Sequence, residues 1–161
     1  MQPLFVKWIY VLPADYALNI RPHLPADFRA CAFEDGFGRR WLELDADGTL
    51  RVLKGYAWDG CTPKLRLFGR VIGMPDGGIS PVTQLPRAYY ASLVHDALYQ
   101  FLDTGLPVDR VTADRIFQEI LLRDEFSASL LYYLAVRIFG RATLFFLRRQ
   151  RGFCGRMIAA G

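Results

Sequence analysis

A chain of 161 residues, 52% hydrophobic and 22% charged, can bury a sizeable core, which excludes a disordered polypeptide. The formal net charge is +4, much of it from Arg137, Arg141, Arg148, Arg149, Arg151 and Arg156, and a basic tail of this kind suits anionic lipid, nucleic acid or an acidic partner alike. Three widely spaced cysteines, Cys31, Cys61 and Cys154, form no CxxC pair and no even-numbered framework, which argues for free thiols over a disulfide scaffold.

The first residues, MQPLFVKWIYVL, lack the basic n-region and small-residue cleavage site of a signal peptide, and Lys7 interrupts their apolar run. Positions 4–12 alternate loosely and are rich in aromatic and β-branched residues, so a strand ended by Pro13 is expected. Short strands are expected again at 15–20 and 28–33, separated by a loop punctuated by Pro22 and Pro25. Positions 40–44 and 49–53 alternate on either side of Asp45-Ala46-Asp47-Gly48, a hairpin pattern with glycine where positive φ is needed. Asp45-x-Asp47-Gly48 also resembles the opening of a calcium loop, but no closing glutamate follows, so the hairpin turn is the better reading.

Positions 54–66, KGYAWDGCTPKLR, leave the sheet as a loop, and the Gly- and Pro-rich stretch that follows as far as 85 reads as the longest irregular segment. Three helices then follow. The first spans 86–102, with Pro86 in its first turn and Thr104, Gly105 and Pro107 stopping it. The second begins between 108 and 112, ends near 124, and carries Ile116, Phe117, Ile120 and Leu121 as a core stripe. The third begins near Ser127, a suitable N-cap. Its apolar runs are broken by Arg137, Gly140 and Arg141 and fall short of the roughly 18 to 20 residues a membrane span needs. It reads as a helix packed on the core with Arg137 and Arg141 on a basic outer edge, rather than as an interfacial membrane helix. The expected architecture is a single α+β domain over 1–161. A small N-terminal antiparallel β-sheet (1–66, mainly strands) and a loop (67–85) lead to a C-terminal three-helix part with an antiparallel helix pair (86–151) and a tail (152–161).

The chemistry-bearing residues gather on the first two helices. His95 and Tyr99 are four residues apart and share one helical face, Asp96 lies about 100° round the helix, and Asp114 follows His95 by 19 positions, so a short turn can fold it back alongside. A carboxylate that fixes the histidine tautomer leaves the other ring nitrogen to take a proton from water, the working arrangement of many hydrolases. Asp96 would remain available to a hard cation, with backbone carbonyls of a nearby loop. With only His23 and His95 in the chain, a multi-histidine zinc site is not expected. No nucleophile elbow and no HExxH are present. Cys61 could act as a nucleophile with His95 as base, though no motif specifies it. The same His–Asp pair reads equally as a satisfied core interaction capped by Tyr99, and Asp59 as the anchor of its own loop; residue chemistry alone slightly favours these packing roles.

Four segments, GYAWDGCTPK (55–64), LVHDALY (93–99), ADRIF (113–117) and YLAVRIFG (133–140), resemble in order a family of small phage and prophage proteins called domain of unknown function 1353. That resemblance implies a phage context, in the host cytoplasm or the virion, without implying a reaction. More distantly, His95-Asp96-Ala97-Leu98-Tyr99 with Asp114 on the next helix is similar to phospholipase A₂. This likeness implies His95 as general base, Asp114 orienting it, Tyr99 bonded to Asp114, and Ca²⁺ as cofactor on Asp96, with loop oxygens from around Asp59 or from 76–78. The Gly- and Cys-rich calcium loop and the disulfides of those enzymes are not recognisable here. Two functions are therefore expected from different classes. One is a phage-encoded Ca²⁺-assisted lipid or ester hydrolase. The other is a non-enzymatic virion component, tail or tail-tip, or an assembly component, in which the pair is structural. Partners follow as virion proteins or a lipid surface, with nucleic acid not expected.

Overall fold

The structure, a computed structural model, describes residues 10–61, 64–67, 70–73, 77–81, 83–151 and 156–159. The expected strand over 4–9 lies outside them; its continuation, β1 (Tyr10–Val11), pairs antiparallel with β6 (Ala57–Trp58). The main sheet is built from β2 (Tyr16–Asn19), β3 (Cys31–Glu34), β4 (Arg40–Leu44), β5 (Thr49–Val52) and β9 (Arg156–Ala159), in the order β2-β5-β4-β3-β9, every pair antiparallel.

The expected hairpin is β4–β5. Gly48 has φ 86° and donates to the Asp45 carbonyl at 3.0 Å, while Asp47 accepts from the Thr49 amide at 2.9 Å. The carboxylate that resembled a calcium ligand thus holds its own turn. Register then decides burial: Phe33, Leu42 and Val52 align across three strands, as do Cys31, Leu44 and Leu50, and both rows face the core.

Three helices follow, α1 (Tyr89–Phe101), α2 (Arg110–Arg123) and α3 (Ser129–Arg151); α1 packs on that face and against α2, and α3 packs against α2 and α1. Phe101 of α1 meets Phe33 of the sheet with ring centroids 5.5 Å apart. The α+β class and the antiparallel α1–α2 pair are those expected from the sequence. Asp109 caps α2 by accepting from the Thr112 amide at 2.8 Å, within the expected range of starts.

Four expectations change. The helix begins at Tyr89 rather than Pro86 because 85–87 is held extended against 78–80, through Ser80 N–H to the Leu85 carbonyl (2.8 Å) and Arg87 N–H to the Gly78 carbonyl (3.0 Å). The loop at 54–66 contains β6, held by β1. The stretch 67–85 is not irregular throughout: β7 (Lys64–Leu67) and β8 (Arg70–Gly73) form a hairpin, favoured by Leu65, Leu67 and Val71 alternating with basic residues. Finally, 152–161 is more than a tail, since β9 completes the main sheet on the edge of β3. Among the described residues, no helix is long and apolar enough to cross a membrane.

Candidate functional site

The site grows from the antiparallel packing of α1 on α2. Leu93, Val94, Ala97, Leu98 and Phe101 sink α1 into the core. This leaves His95 and Tyr99 one turn apart towards α2, with ring centroids 4.0 Å apart. Across the contact stands Asp114, wholly buried. His95 Nε2 lies 2.9 Å from Asp114 Oδ1, and the Tyr99 hydroxyl donates to the same oxygen at 2.5 Å. The sequence-predicted trio of His95, Tyr99 and Asp114 is therefore assembled as expected.

Two further residues complete the network. Arg137 of α3 donates to Asp114 Oδ2 at 2.9 Å, and Arg110, one turn before Asp114, approaches that oxygen at 3.7 Å while donating to the Tyr99 hydroxyl at 3.3 Å. Arg110 also donates to the backbone carbonyl of Arg137, tying α2 to α3. The expectation that Arg137 lies on a basic outer edge is thus corrected. A wholly buried carboxylate needs cations and donors on both oxygens, and α3 turns Arg137 inward to supply one. The available signals were an arginine inside the apolar run YLAVRIFG and the i,i+4 spacing of Arg110 and Asp114.

The charges follow from this geometry. Burial alone would raise the Asp114 pKa, but hydrogen bonds from His95, Tyr99 and Arg137 outweigh it and hold the carboxyl below its ordinary range. Burial pulls the His95 pKa down; the bond to Asp114 opposes this without overcoming it, and the Arg110 charge adds to the depression. Burial, together with the bond to the Asp114 carboxylate, pushes the Tyr99 phenol up, so it remains a donor. A charged Asp114 accepting from His95 Nε2 fixes the neutral ring with its proton on Nε2. The lone pair then resides on Nδ1.

His95 also lines a small cavity with room for about one water molecule, shared with Gly60, Cys61, Ser92, Asp96, Phe117 and Val136. Asp96 Oδ1 stands 4.0 Å from His95 Nδ1. The 57–61 segment reaches this place through Trp58, fully buried against Tyr10 and Tyr89, whose indole N–H donates to Ser92 Oγ at 3.1 Å. Positive φ at Gly60 (78°) then turns the backbone beside His95. Asp59, expected to share a cation with Asp96, is not among the residues lining this cavity. Cys61 does line it and is buried.

A second cleft of about 260 Å³ lies between β2 and α2, where His23 meets Glu119 at 2.8 Å. Among the described residues, no group of three or more His, Cys, Asp or Glu is arranged to hold a metal ion. No family model, curated protein or solved structure matches the chain.

Proposed function

We propose that the His95 site activates water for hydrolysis of an ester, with lipid esters as the substrate class, in a phage-encoded protein. The observation that carries this reading is the environment of His95: Asp114 on Nε2, Asp96 4.0 Å from Nδ1, and a cavity that His95 lines with Asp96, Gly60 and Cys61. Water in that cavity would give a proton to Nδ1 as its oxygen bonds to the ester carbonyl carbon. The imidazolium would then return the proton to the departing alkoxide. Asp114 and Tyr99 hold the ring in one tautomer and orientation. Because burial, with the Arg110 charge added to it, outweighs the pull of Asp114, His95 stays neutral and proton-accepting through neutral pH, as a weak base.

Calcium would suit this site in the kind of donor: the Asp96 carboxylate borders the cavity with Gly60 and Cys61, whose backbone carbonyls are hard oxygens too, and water would complete the six to eight that Ca²⁺ takes. When bound, it would polarise the ester carbonyl and favour the oxyanion. Calorimetric titration with Ca²⁺ of the wild type and of Asp96→Asn, with a fluorescent phospholipid assay on the same samples and on His95→Gln, tests the proposal. Saturable binding lost in Asp96→Asn, with lipid release that requires His95, is expected. A folded wild type that neither binds millimolar Ca²⁺ nor releases lipid would overturn it.

One observation favours the second reading, a virion tail or assembly component. His95 is only 7% exposed, so an ester reaches Nδ1 only if the 57–61 segment or α3 moves. In that reading the network joins three helices and catalyses nothing, and neither titration nor turnover responds to Asp96→Asn.

A further inference from the structure

α3 presents opposite characters on its two sides. Inward, Tyr132 and Val136 are buried and Arg137 reaches Asp114. Outward, Leu130, Leu131, Leu134 and Ile138 are 60%, 63%, 47% and 69% exposed, and their i, i+4, i+8 spacing makes one continuous apolar stripe. Large aliphatic side chains exposed in a row on a helix mark a surface that something covers.

Charge selects the cover. From Phe126 onward the sequence carries six arginines and no aspartate or glutamate. Two of the six are engaged within the fold, Arg137 with Asp114 and Arg156 with Glu34. The remaining four, Arg141, Arg148, Arg149 and Arg151, belong to the continuation of α3 beyond the stripe. An apolar stripe followed on the same helix by an arginine-rich sequence without aspartate or glutamate complements an anionic lipid surface, and two copies of this chain would bring like charges together. Since no helix among the described residues is long and apolar enough to cross a bilayer, a helix of this kind lies in the plane of the interface.

We infer that the Leu130–Leu131–Leu134–Ile138 face of α3 docks on an anionic lipid surface. The aliphatic side chains enter the boundary between headgroups and acyl chains, and the arginine-rich continuation of the helix supplies the attraction. This inference does not depend on hydrolysis.

The test is flotation of the full chain, without added Ca²⁺, with phosphatidylcholine vesicles containing phosphatidylglycerol and with pure phosphatidylcholine vesicles. The wild type is expected to partition onto the anionic vesicles alone, less so as salt rises. Leu134→Glu combined with Ile138→Glu changes two outward residues, so folding is retained by circular dichroism, and partitioning is expected to fall about tenfold or more. His95→Gln is expected to bind like the wild type, which separates this result from the fate of the hydrolase proposal. The inference is overturned if folded wild type stays off anionic vesicles, or if the glutamate pair leaves binding unchanged. It is equally overturned if light scattering shows a dimer that the glutamate pair disperses, since a second copy then covers the face.

Discussion

A Cβ on Gly140 would stand 2.6 Å from the Tyr99 hydroxyl and 3.3 Å from the ring carbons beside it, so α3 meets α1 at this level only as a glycine. Tyr99 cannot swing aside cheaply, because its hydroxyl is bonded to Asp114. Alanine in place of a mid-helix glycine ordinarily stabilises by about 1 kcal/mol. Here Gly140→Ala is expected to destabilise by about 1–3 kcal/mol in urea unfolding, the cost of overpacking. Tyr99→Phe removes the closest atom, so the double variant should lose less than the two single losses combined, by about 0.5 kcal/mol or more. Strict additivity would show that the two residues do not press on one another.

Arg137 is the least expendable partner of Asp114, because it is the closest cation to a carboxylate with no solvent exposure of its own. The Arg137 side chain is itself 32% exposed, so water partly replaces it, and Arg137→Met is expected to cost about 1–3 kcal/mol rather than the full cost of a buried pair. The same change leaves more of the Asp114 charge to His95. Its pKa should therefore rise, read from the His95 ring resonances in a pH titration by NMR. Arg137→Lys restores the charge without the planar fork and should fall between the two. A His95 titration indifferent to both substitutions would mean that Arg137 does not share Asp114.

The sequence exposes what is local and conceals what depends on distant partners. The β4–β5 hairpin is legible because alternation and Gly48 act within a dozen residues. The His95–Asp114 pairing is legible because two helices joined by a short connection must pack antiparallel. The inward turn of Arg137 depends on a buried charge on another helix, so on α3 alone Arg137 and Arg141 look alike. The strand at 156–159 is four residues long and pairs with a strand more than 120 positions away, as in the Glu34–Arg156 contact, so nothing local marks it. The β7–β8 hairpin is a different case. Its alternation is present in KLRLFGRVIG, but each arm is only four residues long and the glycines and prolines that follow carry the stronger loop signal.

Acid should unfold this protein in two stages. The folded-state pKa of His95 is depressed from 6.5, so between that value and the folded one the unfolded chain binds a proton that the native chain refuses. Stability therefore falls as pH drops below about 6.5 and levels off beneath the folded pKa. Asp114 is depressed from 3.8, so its contribution is present above that value and is lost as pH falls through its lower folded pKa. Urea midpoints are expected to drop between about pH 7 and pH 5 in the wild type and to stay nearly flat there in His95→Gln, with the low-pH loss retained in both. Equal slopes in the two proteins would mean that the first stage belongs to another group.

The strand β9 should matter to more than its own length. It covers β3 from Cys31 opposite Ala159 to Glu34 opposite Arg156, and β3 brings the buried Phe33 into the core. Removal of 152–161 would leave the β3 backbone as an open edge next to a hydrophobic row, the arrangement that invites edge-to-edge pairing. The truncated chain is expected to melt at a lower temperature and to associate with rising concentration by light scattering. The Arg156–Glu34 ion pair contributes little to this, because the arginine is 72% exposed, and Arg156→Ala should change stability by no more than about 0.5 kcal/mol. The strand acts through its backbone. Alternate residues of an antiparallel edge strand bond its neighbour, so of proline in place of Met157 and proline in place of Ile158 one removes a ladder N–H and should reproduce part of the truncation, while Ile158→Thr should not. A truncated chain that stays monomeric with an unchanged melting temperature would show that the sheet is complete without β9.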